Sequence, residues 1–327
     1  MSSPSAVPLE DPQALAAHQA EAEAAGLTDQ VRFFQVETGA SQLHVAVAGP
    51  DDGTPVLMLH GFPDLWSTWA PQIPALVEAG YRLILPDQRG YNRSSKPEDL
   101  HGYTLEQLGG DALALLEAFG HADAQAHLVG HDWGAAVSWW LAENRPERFH
   151  TVTILNCPPM KVLAKAARSD PKQIMKSWYI LFFQVPWISE KVLGAGRGKR
   201  LVAALRKGSR RGAFSKPELE CYRQAWAQPG AVRGMLSWYR ASALSLKGAG
   251  PSRQIPLPLT LLWGEQDIAL RSSLIEPRIA RCDQAEVHRF PEAGHWVHRD
   301  QPDEVTQAIL ASFRRSEPLA EGDDAAT

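Results

Sequence analysis

Short, nearly continuous apolar runs recur along the chain: PVLMLHG, YRLILPD, AHLVGHD and TVTILN. Runs without polar alternation are what strands buried on both faces of a parallel sheet look like. Ahead of them, VRFFQV and LHVAVAG flank the turn-like ETGASQ, the pattern of a hairpin. Helical periodicity alternates with the strand runs, as in LEQLGGDALALLEAFG, which stops at Gly120. Strand alternating with helix predicts an α/β fold around a mostly parallel sheet. The alternation ceases near Cys157, and residues 157–256 read as helices and loops. IPLPLTLLWG and AEVHRFP then restore strands, and QPDEVTQAILASFRR closes with an amphipathic helix. Strand runs on both sides of the break predict one α/β core, 31–156 and 257–315, with a helical insertion at 157–256.

The ends add little to that core. DPQALAAHQAEAEAAG suggests a helix outside the main core, so residues 1–30 are expected to form an N-terminal helical extension. SEPLAEGDDAAT, residues 316–327, reads as a disordered acidic tail. The beginning of the chain lacks a basic stretch followed by an apolar core, so no secretory signal is expected. No apolar run approaches the roughly 18 residues of a membrane span. Cys157, Cys221 and Cys282 are far apart and form no CxxC pair, which argues for a reducing compartment and against a disulfide framework or zinc site. A cytoplasmic location is therefore expected. The net charge of −4 gives no reason to expect nucleic acid. One local exception is GAGRGKRLVAALRKGSRRG, residues 194–212, with seven Lys or Arg and no acid. It reads either as a site for an anionic partner or membrane surface, or as a solvated helix face.

Chemistry concentrates at GHDWG, residues 130–134. Glycines two positions before and after Asp132, following a strand run and preceding an apolar helix, have the spacing of a tight nucleophile elbow. An aspartate there needs no base to become nucleophilic, since its reference pKa of about 3.9 leaves it ionised. The following helix dipole favours that anion. A plain helix N-cap is the competing reading of Asp132. Two partners follow in the order nucleophile, acid, histidine: Asp267 in WGEQD and His295 in EAGHWVHRD, both past the ends of strand runs. His298 is the main rival for the base, and His131 stands beside the nucleophile. In LHGFPD the backbone turns sharply after His60, so the amides of Phe62 and Trp133 are candidates for an oxyanion hole.

HGFP, DQRGYNRSSKP, GHDWG, WGEQD and GHWVHRDQPDEV, in that order, resemble the signatures of the α/β-hydrolase epoxide hydrolases over about Val31 to Arg315. The resemblance implies an α/β-hydrolase fold with a helical cap inserted after the sixth strand. It also implies two cap tyrosines that donate hydrogen bonds to the epoxide oxygen. WYILFFQVP points to Tyr179 and RGMLSWYR to Tyr239. The implied activity is hydrolysis of an apolar epoxide to a vicinal diol through an ester on Asp132, with no metal or organic cofactor. Two departures stand out: Ala135 where glycine is frequent, and Asn92, which tolerates positive φ, where RGYG is common. The haloalkane dehalogenases share the aspartate and histidine. Phe62, however, offers no halide-binding side chain, and Trp133 replaces the arginine typical of fluoroacetate dehalogenases. A non-catalytic ligand sensor is a third class, disfavoured because no triad residue is missing.

Overall fold

The computed structural model describes residues 4–248, 253–279 and 282–316. In chain order the strands are β1 (Ser5–Pro8), β2 (Val31–Glu37), β3 (Gln42–Ala48), β4 (Thr54–Leu59), β5 (Tyr81–Pro86), β6 (Ala126–His131), β7 (Phe149–Leu155), β8 (Ile255–Gly264) and β9 (Cys282–Phe290). Helices α1 (Pro12–Ala24), α2 (Ile73–Glu78), α3 (Leu105–Ala118) and α4 (Trp133–Asn144) precede β7. Between β7 and β8 run α5 (Met160–Ser169), α6 (Pro171–Lys176), α7 (Trp178–Phe183), α8 (Ile188–Gly208), α9 (Lys216–Trp226) and α10 (Ala231–Gly248). Then come α11 (Glu276–Ile279), α12 (Val297–Asp300) and α13 (Pro302–Arg314).

The nine strands form one sheet in the order β1-β2-β3-β5-β4-β6-β7-β8-β9. Every pairing from β5 to β9 is parallel, and β1, β2 and β3 are antiparallel. This is the α/β-hydrolase fold expected from the alternating pattern, and VRFFQV and LHVAVAG are the two arms of the β2–β3 hairpin. The continuous apolar runs are continuous because helices cover both faces: β6 is buried at every residue, and β4 at all but its first.

Two expectations for the first 30 residues need correction. Ser5–Pro8 adds an edge strand beside β2, so the extension is not purely helical and the insertion follows the seventh strand in chain order, not the sixth. Nor does α1 stand outside the core. His18 packs on Phe33 and His44, with ring centroids 5.0 and 4.5 Å apart, and Ala22 is buried with them. Alanine and histidine are small or flat enough to seat a helix closely without a leucine stripe. The acidic tail expected at 316–327 lies, but for Ser316, outside the described residues.

Tryptophan and tyrosine side chains fasten the insertion to the core. The indole N–H groups of Trp226 and Trp238 donate to the carbonyls of Pro63 and Arg89, each at 2.8 Å. Tyr222 donates to Asp64 at 3.2 Å, although a hydroxyl turned to water is the ordinary expectation for such a residue. The insertion therefore sits over the carboxyl ends of β4, β6 and β8, where open parallel sheets place their ligand crevice.

Candidate active site

Asp132 sits between β6 and α4 with φ 50° and ψ −116°, a backbone conformation that L-residues rarely adopt. A Cβ on Gly134 would lie 2.1 Å from the Leu59 carbonyl oxygen, and one on Gly130 would lie 2.3 Å from Ser138 Oγ. The GxDxG spacing is thus required by close approach on both sides. Asp132 occupies the N-cap position of α4 but makes no side-chain cap bond. Its carboxylate turns the other way, where Oδ1 accepts the Phe62 amide at 2.8 Å. The N-cap reading of Asp132 fails on that geometry. The Trp133 amide is the first of α4 and has no helical partner.

His295 faces the other oxygen, with Nε2 3.5 Å from Asp132 Oδ2. Its Nδ1 lies 2.7 Å from Asp267 Oδ2. Asp267 is fully buried and saturated: Oδ1 accepts the amides of Ala269 at 2.7 Å and Leu270 at 2.9 Å, and Oδ2 accepts Asn156 Nδ2 at 2.9 Å. Lys176 from α6 donates to the Asp267 carbonyl. Burial opposes charge on Asp132 and Asp267, but the charge and hydrogen bonding of His295 hold both carboxyls below their ordinary range. Burial likewise opposes charge on His295, and the two carboxylates outweigh it, raising its pKa well above 6.5.

Tyr179 on α7 and Tyr239 on α10 stand over Asp132 with their rings nearly perpendicular and 6.0 Å apart. The Tyr239 ring meets Phe62 at 5.3 Å and Trp133 at 5.0 Å, edge to face. Burial, then the charge of Asp132, pushes both phenols well above their ordinary value, so they remain proton donors. Asp132, His295, Tyr179, Tyr239 and Phe62 line one cavity of about 570 Å³, otherwise mostly apolar. A larger depression of about 660 Å³, against α3 and α4, holds none of the five.

The rival histidines are engaged elsewhere. His131 is fully buried, with Nε2 2.9 Å from the His295 carbonyl oxygen. His298 pairs with Thr68 at 2.9 Å, and burial pushes its pKa well below 6.5, so it stays neutral. Asn92 does adopt positive φ (39°), and its amide donates to Asp87 at 2.7 Å.

Two residues of the site escaped the sequence reading. Asn156, at the end of β7 with φ 44°, bonds Asp267 through Nδ2 and accepts the Gly264 amide on Oδ1 at 2.9 Å. An Asn closing a buried strand was the available signal. Asp64 is fully buried and accepts Trp296 Nε1 at 2.9 Å and Tyr222 from α9, so it ties the insertion to the loop that carries His295.

The α/β hydrolase fold family matches residues 54–302. An AB hydrolase superfamily protein of Bacillus subtilis is 39% identical over 86% of this chain and 98% of its own. Epoxide hydrolase A of Mycobacterium tuberculosis is 31% identical over 84% of this chain and 95% of its own. Among solved structures, the Bacillus megaterium epoxide hydrolase in complex with an inhibitor superposes with a TM-score of 0.75 at 26% identity, covering 84% of this chain and 97% of that one.

Proposed function

The chain belongs to the α/β-hydrolase family, among the epoxide hydrolases, and from that premise we propose that it opens an apolar epoxide to a vicinal diol through an ester on Asp132. The observation that carries this reading is the placement of two phenol donors, Tyr179 and Tyr239, on the same cavity as a carboxylate and its histidine. A halide leaves as an anion and needs only N–H donors. An epoxide oxygen leaves as an alkoxide and needs a proton, which a phenol can supply. The Trp133 indole, the donor a halide would use, packs edge to face with the Tyr239 ring at 5.0 Å.

With Oδ1 held by the Phe62 amide, Oδ2 of Asp132 is the attacking atom. It forms the C–O ester bond as the ring C–O bond breaks; the alkoxide takes a proton from Tyr179 or Tyr239, and the His295 imidazolium, losing the charge of Asp132, gives up its own proton to restore the phenol. In the second half, His295 Nε2 removes a proton from a water that adds to Cγ of the ester. Negative charge then collects on Oδ1, where the amides of Phe62 and Trp133 receive it. Collapse expels the diol oxygen, protonated by His295, and the proton left on the Asp132 carboxyl passes to His295, restoring the carboxylate and the imidazolium. Asp267 orients the imidazole and stabilises its charge. The insertion acts here as a cap that supplies both phenols.

The test is an assay on styrene oxide and 1-bromobutane side by side, with intact-mass measurement of His295→Gln. Diol from the epoxide, and an adduct of substrate mass in the variant, are expected. Bromide release without diol, or normal turnover by His295→Gln, overturns the reading.

A further inference from the structure

Charge is distributed very unevenly along this chain. Residues 160–212 hold thirteen Lys or Arg and two acids, in a protein whose net charge is −4. Both acids are already paired, Asp170 with Arg271 and Glu190 with Arg240. Lys191, Lys199, Arg200, Arg206 and Lys207 are exposed along α8. The exposed large apolar side chains are just as localised. Of nine such side chains among the described residues, seven fall between Ile174 and Ile188, including Trp187 at 84%, Met175 at 76% and Leu181 at 75% exposure. An eighth, Ile268, lines the 570 Å³ cavity together with Trp178, Lys176, Arg200 and Lys207. The cavity wall therefore runs directly into this basic and apolar face.

We propose that residues 174–188 and the cations of α8 form a docking face for an anionic lipid bilayer, with the catalytic cavity opening onto it. Exposed tryptophan, leucine and methionine beside unpaired cations is the combination that seats a protein at a lipid headgroup layer. Apolar side chains enter the interface while lysine and arginine meet acidic headgroups. A nucleic acid would engage the cations and leave a contiguous apolar surface wet. A second copy packed through the same face would bring the exposed cations Lys191, Lys199, Arg200, Arg206 and Lys207 against their own copies, since a two-fold interface is self-complementary. Only an apolar surface that is also negatively charged satisfies both features. Docked in this way, the cavity receives apolar ligands from the bilayer without their crossing water.

Co-sedimentation with vesicles of phosphatidylcholine alone, or with about one quarter phosphatidylserine, tests this without any substrate, so its outcome is separate from the epoxide reading. We expect partitioning about tenfold stronger, or more, onto the acidic vesicles, declining steeply at high salt. Leu181→Ser/Trp187→Ser should abolish it, and Lys191→Glu/Lys199→Glu/Arg206→Glu should remove the preference for acidic lipid. All five side chains are exposed, so thermal unfolding and turnover of a dispersed substrate should be unchanged in both variants. Absent or lipid-independent sedimentation, or binding that survives both variants, overturns the proposal. So does a dimer in sedimentation velocity that Leu181→Ser/Trp187→Ser dissolves, or a nucleic acid that competes the vesicles away.

Discussion

Gly61→Ala is a single methyl group aimed at the nucleophile. A Cβ there would stand 2.3 Å from Asp132 Cβ and 2.5 Å from its Oδ1. Carbon atoms in contact rest about 3.5–4.0 Å apart, so the aspartate must retreat by more than an ångström. It cannot do so and keep both the 2.8 Å bond from the Phe62 amide and the 3.5 Å approach to His295. A displacement of about 1 Å at a reacting group costs on the order of 10²-fold in rate, or about 2.7 kcal/mol of barrier. The extra methyl also overpacks the elbow, at about 1–3 kcal/mol of stability. Steady-state diol formation and thermal unfolding are measured together, with Gly110→Ala as the control. Gly110 lies inside α3, and a Cβ there would meet nothing within 4 Å, so alanine should stabilise by about 0.5–1 kcal/mol and leave turnover alone. If Gly61→Ala folds and keeps kcat/KM within about threefold of the parent, Asp132 is not held where the mechanism needs it.

Further expectations concern the groups around Asp132. Tyr179→Phe and Tyr239→Phe should each leave one donor and slow ring opening modestly, and the double variant should lose about 10²–10⁴-fold, read by single-turnover formation of the ester. Asn156→Ala leaves the Gly264 amide without its acceptor and should cost about 1–3 kcal/mol in denaturant unfolding. Because it also loosens Asp267, ester hydrolysis should slow more than ester formation, so the intermediate accumulates. Asp132→Asn should lower the pH at which His295 titrates, followed by NMR of the ring carbon proton; an unmoved titration contradicts the coupling of the two groups. Stability should fall as pH drops from 6.5 toward 4, because His127, held neutral down to about 3 by burial, and His298 gain protons only in the unfolded chain. His295 works in the opposite sense. Its raised pKa adds stability that is complete below about 6.5 and is lost as pH rises through the folded value.

The parts legible in the sequence were those whose cause is local. The elbow is written in two glycines because β6, α4 and the Leu59 carbonyl leave no room for side chains. The central strands are written as apolar runs because both faces of the sheet are covered. Ser5–Pro8 was missed because three of its four residues are exposed, so no burial pattern marks the strand. Asp64 was visible in HGFPD, but its role comes from Tyr222 and Trp296, which are 158 and 232 positions away. Asn156 is similar, since its partners Gly264 and Asp267 approach it only once β7 pairs with β8. Long-range pairing of polar side chains leaves no periodicity to read.

The charge arrangement also explains how one histidine can serve both halves of the proposed reaction. In the resting site His295 lies 3.5 Å from one carboxylate and 2.7 Å from another. The charge of Asp267, with Asp132 adding to it, keeps the imidazole protonated against its burial. Ester formation removes the charge of Asp132 and with it that addition. Burial and Asp267 then act alone, in opposite directions, and the proton is held less tightly. Ring opening places one proton on the alkoxide, and the weakened imidazolium can release one, so the site's proton count balances over the first half. The neutral imidazole that remains is the base the second half requires. Asp132 is thus both the nucleophile and the group that sets when its own ester can be hydrolysed.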